Sequence, residues 1–417
     1  MMLSHRTFLA LQGPCSPFSA ALCRALQNQG HRVLTLSFNA GDLLYRAGQH
    51  QRLFRQSADE LNEFLGDLYE RENITDQLLF GDQRPVHRPA AALAPAFGVR
   101  THVFEEGYLR PYWITLEPEG VNAQSRLPRR RDWYHEAYAR LGPAPTPRQF
   151  RSAFWKRATH DVVYHVAGLA NPLLAPQYRN HAPITAPREY SGYIRRFTLL
   201  KWHKPRDARL IETLLAAGGR YFVLPLQLNG DAQILRHSSF RDMSDVIKRA
   251  MTSFAQHAPA DTQLVIKNHP LDMGLVPYRR QIRQLASHLD IENRVVYLES
   301  GDLNLLLSRA EGMVTVNSTS GIVALEQGLP TLALGDAIYA FDGLARGAGL
   351  DDFWHDPQPP CPKLVTAFRH TLAHTVQVNG GFYCQPAIRM AVDNCLPRLN
   401  ADVTPLEDLL AWLPHAA

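Results

Sequence analysis

Residues 314–330 read VTVNSTSGIVALEQGLP, and this stretch decides the fold of the second half of the chain. Val314 to Val316 is short, apolar and β-branched, which predicts a buried strand, and Ile322 to Gln327 resumes at helical spacing. Asn317 to Gly321 is small and polar, so the strand breaks into a turn that opens a helix. Unpaired N–H groups at such a helix start, together with the helix dipole, suit a phosphate. The alternative is an ordinary N-cap, in which a hydroxyl closes the helix and nothing binds.

The composition is that of a globular protein with two domains. The 417 residues are 45% hydrophobic and 20% charged, which is too long a chain for one small core. The formal charge of +5 suits an acidic substrate or an anionic membrane surface. The five cysteines show no C-x-x-C spacing, which indicates free thiols in a reducing compartment. Met1 to Gln12 is too polar for a signal peptide and no apolar run reaches membrane-spanning length, so we expect a cytoplasmic protein or one on the cytoplasmic face of a membrane.

The first half of the chain alternates predicted strands with helices. Strands at Thr7 to Leu11, Arg32 to Phe38 and Leu78 to Phe80 each lead into a polar loop that contains glycine. Val103-Phe104 leads in the same way into Glu105-Glu106-Gly107. This alternation of strands and helices predicts a parallel sheet with helices on both faces. In such sheets, ligands bind at the carboxyl ends of the strands.

A second parallel α/β domain is predicted after a linker at Ala182 to Pro205, which contains three prolines and in which Tyr190 to Trp202 can form a short helix. The cadence resumes there and continues through the strand, turn and helix of residues 314–330. The predicted boundaries are 1–190 for the first domain and 206–365 for the second, with a helical tail at 366–417 that we expect to pack back toward the first domain.

A basic, aromatic insertion at 126–157 breaks the cadence of the first domain. It carries nine basic residues against two acids, and six aromatic side chains are interleaved with them. Such a segment can lie on an anionic membrane surface. The structural alternative is a solvated face whose aromatic side chains pack inward. Nucleic acid is a third alternative. The sequence contains no recognisable nucleic-acid-binding motif, however, and we expect no nucleic acid to bind.

Two short motifs carry candidate chemistry. Lys267-Asn268-His269-Pro270 follows a predicted strand, where the lysine supplies a point charge for a phosphate and the histidine supplies a hydrogen bond or a proton. Glu105 and Glu106 end another strand, and since neighbouring strand residues face opposite sides, only one of them is expected to reach a cleft. A carboxylate there can serve as nucleophile or general base, and Arg110 can pair with it or grip a substrate carboxylate. The alternatives are solvated loops without a ligand.

The chain contains no D-x-D motif, which speaks against a metal-held sugar nucleotide. An α/β protein with two Rossmann-like domains facing a cleft, a phosphate turn in the second domain and no metal motif fits the plan of many sugar-nucleotide transferases, the GT-B architecture. No metal ion or cofactor is expected, apart from a sugar nucleotide as co-substrate.

Seven short motifs occur in a characteristic order: Gln12-Gly13-Pro14, Phe38-Asn39-Ala40-Gly41-Asp42, Phe80-Gly81-Asp82, Phe104-Glu105-Glu106-Gly107-Tyr108-Leu109-Arg110-Pro111, Pro225-Leu226-Gln227, Lys267-Asn268-His269-Pro270 and Val316-Asn317-Ser318-Thr319-Ser320-Gly321. With these motifs the sequence resembles the bacterial capsule polysaccharide synthesis and export family, and within it the KpsS type. The resemblance runs from about Leu9 to Phe341 and implies a retaining β-Kdo transferase that uses CMP-Kdo. Such an enzyme places the first Kdo of a poly-Kdo linker on a phosphatidylglycerol-type lipid at the inner membrane, beside other capsule assembly proteins.

The resemblance also implies roles for single residues. Glu106 is the expected catalytic carboxylate, at a position where related Kdo transferases generally carry Asp, and His269 assists the departing phosphate. The donor is expected to contact Lys267, Ser318, Thr319, Ser320, Glu326 and Arg110, in the second domain except for Arg110. Candidates for the acceptor side are Glu105, Gln227 and Asp231. We expect Glu106 to face His269 and Ser318 across the cleft.

Two rival classes share most of these features. A non-catalytic export or assembly component would keep both α/β domains but would need neither Glu106 nor His269. A transferase for another CMP-sugar, such as sialic acid, would share the phosphate site and differ in its donor.

Overall fold

The computed structural model describes residues 5–45, 47, 50–178, 186–229, 234, 238–345, 347 and 349–413. It divides into two compact units. Unit 1 comprises residues 1–128, 136–181 and 369–417, and unit 2 comprises residues 129–135 and 182–368.

The strands of the described residues are β1 (Thr7–Ala10), β2 (Arg32–Ser37), β3 (His50–Leu53), β4 (Asp76–Phe80), β5 (Arg100–Glu106), β6 (Trp113–Pro118), β7 (Arg220–Pro225), β8 (Thr262–Lys267), β9 (Val295–Leu298), β10 (Gly312–Thr315), β11 (Thr331–Ala333) and β12 (Gln377–Asn379). The α-helices are α1 (Phe18–Asn28), α2 (Ala40–Leu44), α3 (Leu61–Glu72), α4 (Arg88–Leu93), α5 (Arg131–Arg140), α6 (Phe154–Ala167), α7 (Asn171–Leu174), α8 (Ala186–Ala217), α9 (Met243–His257), α10 (Tyr278–His288), α11 (Leu303–Leu307), α12 (Ser320–Glu326), α13 (Leu350–Phe353), α14 (Pro362–Thr375), α15 (Ala387–Asn400) and α16 (Pro405–Trp412).

The sheet of unit 1 has the strand order β12-β6-β5-β4-β1-β2-β3. Strands β1 to β5 run parallel, as predicted for β1, β2, β4 and β5. Strand β6, which was not predicted, runs antiparallel to both β5 and β12. A parallel return needs a crossover of a dozen or more residues, and the loop 107–112 between β5 and β6 is too short to provide one.

Strand alternation gives unit 1 a core on each face of this sheet. On one face Phe8 and Ala10 of β1 pack with apolar side chains of α1 and α15. On the other face Leu9 and Leu34 pack with α3 and α4. Because both faces are covered, the polar groups at the carboxyl edge of the sheet are held by a rigid support.

The sheet of unit 2 is wholly parallel, with the order β11-β10-β7-β8-β9. Its strands are continuous apolar runs, such as Tyr221 to Leu224, in which every residue is buried. That pattern is expected of strands covered by helices on both faces. The predicted α/β class with two Rossmann-like domains is confirmed.

The predicted linker contains more helix than the short helix expected at Tyr190 to Trp202. Helix α8 runs from Ala186 through the internal Pro205 to Ala217. Two buried side chains anchor it to the loop after β9: Asp207 accepts from the N–H groups of Glu299 and Ser300 at 3.0 Å each, and Arg196 donates to the Glu299 carbonyl at 3.2 Å. These tertiary contacts offset the hydrogen bond that proline removes from a helix interior.

The aromatic insertion divides into two parts with different surroundings. Trp133 and Tyr134 are fully buried, and the Tyr134 ring stacks on Phe341 with centroids 5.3 Å apart. In contrast, Phe154 and Trp155 are 57% and 65% exposed. The inward packing that the structural alternative predicts therefore holds for the first part of the insertion.

Candidate functional site

The carboxyl edge of the unit 2 sheet brings together the segments that follow β10, β7 and β8. The buried Gln227, after β7, donates its side-chain N–H to Asn317 Oδ1 at 3.0 Å and accepts from the Asn317 main-chain N–H at 3.3 Å. This reciprocal pair fixes the turn after β10. The amide of Gln227, a predicted acceptor-side residue, is thus engaged with Asn317.

The Ser-Thr-Ser turn is organised largely by its own hydrogen bonds. The Ser320 N–H and hydroxyl both donate to Ser318 Oγ, at 3.2 and 2.9 Å, and the Gly321 N–H donates to the Ser318 carbonyl at 2.9 Å. The expectation that the first N–H groups of α12 stand unpaired is therefore wrong for these two. The Thr319 hydroxyl, by contrast, has no hydrogen-bond partner within the described ranges. The groups that the turn can offer an anion are mainly hydroxyls.

Tyr339 packs against this turn and holds it by a hydrogen bond. Its buried hydroxyl donates to the Ser318 carbonyl at 2.5 Å. A Cβ atom at Gly321 would lie 2.3 Å from the same hydroxyl, so only glycine permits this approach. Close packing of Tyr339 under Gly321 therefore sets the position of Ser318.

Lys267 and His269 follow β8 at the same edge. Lys267 is 5% exposed, and burial, together with the charge of Arg196, lowers the pKa of its ammonium group. Its Nζ contacts the Asn268 carbonyl at a long 3.4 Å. His269 accepts the Leu271 N–H on Nδ1 at 3.1 Å, so a neutral ring carries its proton on Nε2. The pair can supply one cation and one ring N–H to an anion.

A buried arginine holds the loop that carries His269. Arg196 of α8 donates to the His269 carbonyl at 3.1 Å and pairs with Glu299 at 3.3 Å. Glu299 in turn accepts from Asn268 Nδ2 at 3.1 Å. Sequence reasoning missed Arg196, because its segment was read as a linker.

Of the two further predicted residues of unit 2, the structure describes only Glu326. Glu326 is exposed at the last residue of α12. Six residues of helix place it roughly 9 Å along the axis from Ser320. Asp231 lies outside the described residues.

In unit 1 the carboxylate pair ends β5, with the two side chains on opposite faces as the strand pleat requires. Glu105 Oε1 accepts the Glu106 N–H at 2.9 Å. Its other oxygen lies 3.4 Å from where a Cβ of Gly81 would stand, toward β4. Glu106 is directed instead toward Arg157 and Tyr383.

Arg157 and Tyr383 hold one oxygen of Glu106. Arg157 Nη1 lies 3.4 Å from Oε1, and the Tyr383 hydroxyl donates to the same atom at 3.3 Å. The Arg157 guanidinium also lies over the Tyr383 ring, 4.5 Å from its centroid. Burial raises the pKa of the Tyr383 hydroxyl, and the neighbouring Glu106 raises it further. The second oxygen of Glu106 has no hydrogen-bond partner among the residues that the structure describes.

Sequence reasoning missed the roles of Arg157 and Tyr383. Arg157 was counted only as one charge of the basic insertion, and Tyr383 lies in the predicted tail, where no local pattern marks it. Arg110, which was expected near the pair, is exposed and folds its Nε onto the Gly107 carbonyl at 3.3 Å.

A buried polar network lies beside Glu106 at the same sheet edge. Asp42 accepts from the hydroxyl of Tyr164 at 2.7 Å, from the Phe38 N–H at 2.8 Å and from Gln12 Nε2 at 3.2 Å. Burial raises the pKa of the Asp42 carboxyl, although these hydrogen bonds act in the opposite direction and lower it. Arg84 donates to Gln12 Oε1 at 3.3 Å. The network therefore fixes the loops after β1 and β2 around the Glu106 side of the edge.

A small cavity lies within this polar network. The cavity has a volume of about 30 Å³, with room for one or two water molecules, and lies among Gln12, Ser37 and Asp42.

All five cysteines are free, as predicted, and burial raises the pKa of the Cys15 thiol to about 12. Within the described ranges, no helix combines the length and apolar character needed to span a membrane.

Comparison with known proteins identifies the family. The profile of a family described as Capsule polysaccharide biosynthesis protein matches residues 75–383. The chain is 35% identical to the capsule polysaccharide modification protein LipB of Neisseria meningitidis serogroup B, over 92% of this chain and 93% of LipB. It is also 35% identical to the capsule polysaccharide export protein KpsS of Escherichia coli, over 92% of this chain and 98% of KpsS.

Among solved structures, the β-Kdo 2,7 transferase of Thermosulfurimonas dismutans KpsC is 15% identical, with a TM-score of 0.45, over 93% of this chain and 99% of that one. The profile spans most of the chain and the two sequence relatives match nearly its whole length. The chain therefore belongs to the capsule polysaccharide biosynthesis family.

Proposed function

We propose that this protein is a metal-independent, retaining glycosyltransferase that moves Kdo from CMP-Kdo to a phosphatidylglycerol-type lipid. It would thereby start the poly-Kdo linker of a capsular polysaccharide, on the cytoplasmic face of the inner membrane and beside other capsule assembly proteins. Family membership supports a role in capsule biosynthesis. The observation that carries the chemistry is the carboxylate of Glu106, held through one oxygen by Arg157 and Tyr383.

The geometry of Glu106 suits a nucleophile. The Tyr383 hydroxyl and the Arg157 ion pair fix Oε1, while Oε2 has no hydrogen-bond partner within the described part of the chain and can approach an anomeric carbon. Nearby arginines also provide a positive field, which favours an anionic Kdo carboxylate at this edge. In the proposal, the exposed side chain of Arg110 binds the carboxylate of Kdo.

The carboxyl edge of unit 2 suits the leaving group. Lys267 would place a cation, and His269 a ring N–H, beside the CMP phosphate, while the hydroxyls of Ser318, Thr319 and Ser320 surround it. Charge that is preorganised at a developing phosphate can contribute about 3 kcal/mol per donor to lowering a barrier. Glu326 would contact the ribose.

The reaction consists of two displacements. Glu106 Oε2 attacks the anomeric carbon as the bond from that carbon to the CMP phosphate oxygen breaks, and CMP leaves with the bonding electrons. The acceptor hydroxyl then attacks the same carbon, the bond to Glu106 breaks, and the hydroxyl proton passes to the released carboxylate. Two inversions give net retention.

Intact-mass spectrometry of the protein with CMP-Kdo tests this directly. We expect a covalent adduct of one Kdo that is lost in Glu106→Gln and kept in the matched variant Glu105→Gln, because Glu105 faces Gly81 instead. An adduct that persists in Glu106→Gln would assign the nucleophile to another side chain.

Incubation of the protein with CMP-Kdo and a lipid acceptor, together with the adduct measurement, separates the rival classes. A non-catalytic export component would release no CMP and transfer no sugar to a lipid acceptor. A transferase for another CMP-sugar, such as sialic acid, would form its adduct with that donor and not with CMP-Kdo.

A further inference from the structure

Helix α6 is oriented with its polar side chains toward the protein. Arg157 pairs with Glu106 at 3.4 Å, His160 Nδ1 lies 2.9 Å from the Tyr45 hydroxyl, and Tyr164 donates to Asp42 at 2.7 Å. Asn171 continues the same face in α7, where it accepts the Ala40 N–H at 2.8 Å. These residues recur at spacings that place them on one side of a helix.

The opposite side of these helices is apolar and exposed. No residue of α6 is buried. We define the α6–α7 face by its large apolar side chains, and their exposed fractions are 65% for Trp155, 43% for Val162, 60% for Val166, 79% for Leu169 and 80% for Leu173. A surface helix of a globular protein normally turns its apolar stripe inward, so this arrangement is inverted. A contiguous apolar face of this kind indicates an interaction surface.

The charges around the α6–α7 face are mainly positive. Residues 148–178 contain the basic side chains Arg148, Arg151 and Lys156 against the single acid Asp161, besides Arg157, which is directed toward Glu106. Arg55, from the segment after β3, adds a guanidinium at the far end, where it donates to the Leu173 carbonyl at 3.2 Å. An apolar stripe with tryptophan at one end and a rim of Lys and Arg is typical of helices that lie in an anionic membrane surface.

We propose that the α6–α7 face docks on an anionic phospholipid bilayer, with Trp155, Val166, Leu169 and Leu173 inserted at the level of the headgroups. The proposal rests on the proposed function, since it supplies the surface that presents a lipid acceptor to Glu106. It also moves the membrane contact away from residues 126–140, because Trp133 and Tyr134 are buried and cannot insert. Arg157, on the protein-facing side of α6, then connects the docked helix to the catalytic carboxylate.

Flotation of the purified full chain with lipid vesicles tests the proposal. We expect binding to vesicles of phosphatidylethanolamine and phosphatidylglycerol, weaker binding to phosphatidylcholine alone, and a loss of part of the binding at high salt. Leu169→Glu should reduce the affinity for the anionic vesicles at least about tenfold, because one inserted leucine is lost and a charge is added.

Val403→Glu is the matched control. Val403 is also exposed, at 55%, but it adjoins Asp402, which pairs with Arg6 beside the amino-terminal end of β1. It therefore lies at the opposite edge of the unit 1 sheet from Glu106, and its substitution should leave vesicle binding unchanged.

The outcomes separate the docking surface from the reaction. The proposal is overturned if the wild-type protein ignores anionic vesicles, or if Leu169→Glu and Val403→Glu bind them equally well. It is also overturned if Leu169→Glu converts a dimer into a monomer without vesicles, since the face then joins two copies of the chain. Leu169→Glu should still transfer sugar to a water-soluble, short-chain acceptor. If the wild type transfers sugar to no acceptor but binds vesicles, the proposed function fails while the docking surface stands.

Discussion

The hydroxyl of Tyr383 donates to the carboxylate of Glu106 at 3.3 Å, although the two residues lie 277 positions apart. The contact is made because the chain returns to the unit 1 sheet as β12 and then passes the end of β5. Arg157, which comes from α6, contacts both residues. One candidate catalytic group is therefore positioned by segments from three separate parts of the chain.

Tyr383→Phe should lower the rate of sugar transfer about 10- to 100-fold. The variant keeps the ring under Arg157 but removes one donor to a charged carboxylate, a loss of about 1.5–3 kcal/mol. In the proposal Glu106 acts on the substrate only in the transition state and does not contribute to ground-state binding. We therefore expect the loss of rate to appear in kcat, with little change in KM. Steady-state kinetics with CMP-Kdo give both constants.

Tyr69→Phe provides the comparison for that experiment. The buried Tyr69 hydroxyl donates to Gln77 Oε1 at 2.6 Å, within the core of unit 1. Its removal should cost about 1 kcal/mol of stability and leave kcat unchanged. Equal losses of kcat in both variants would mean that Tyr383 acts only through folding.

Gly321→Ala should weaken CMP binding about tenfold. The new Cβ would stand 2.3 Å from the Tyr339 hydroxyl, so Tyr339 must move and release the Ser318 carbonyl. Overpacking of this kind costs about 1–3 kcal/mol. Isothermal titration with CMP measures the effect. Gly219→Ala, where no atom lies within 4 Å of the added Cβ, should bind CMP as the wild type does.

Local patterns predicted the parts of the protein that depend on neighbouring residues. The strand, turn and helix around Ser318 follow from apolar spacing and small polar residues, and the opposite facing of Glu105 and Glu106 follows from the pleat. The direction of β6 was also readable, because the loop 107–112 is too short for a parallel return. The roles of Arg157, Tyr383 and Arg196 were not readable, since each depends on contacts between segments distant in sequence. The length of the helix in the predicted linker was underestimated for the same reason: Arg196 and Asp207 hold Pro205 inside a helix.

Lys267→Met should reduce the affinity for CMP about 10- to 100-fold. The lysine is 5% exposed, and burial lowers the pKa of its ammonium group, so a bound phosphate would compensate a charge that the protein solvates poorly. Methionine keeps the apolar stem in place. The exposed Lys248 of α9 is the control, and Lys248→Met should leave CMP affinity unchanged. Equal affinity in Lys267→Met and the wild type would remove Lys267 from the proposed donor site.

Glu117→Gln should abolish a fall in stability between about pH 4.5 and about pH 7. Glu117 is fully buried in β6, where it accepts from the hydroxyls of Tyr108 and Ser125, and burial raises the pKa of its carboxyl from 4.5 to about 7. In this range the unfolded chain has released the proton while the native state keeps it, so the native state binds more protons and stability falls as pH rises. The shift corresponds to about 3 kcal/mol across the range.

An amide in place of Glu117 imitates the protonated acid at every pH. Glutamine can accept from Tyr108 and donate to Ser125, so the variant should match the wild type near the acid end and exceed it in stability above about pH 7. Urea unfolding of both proteins across this range measures the difference, and Glu119→Gln, at a more exposed carboxylate paired with Arg126, should keep the wild-type slope. Parallel pH profiles for Glu117→Gln and the wild type would show that Glu117 is ionised in the native protein, and that the hydroxyls of Tyr108 and Ser125 outweigh its burial.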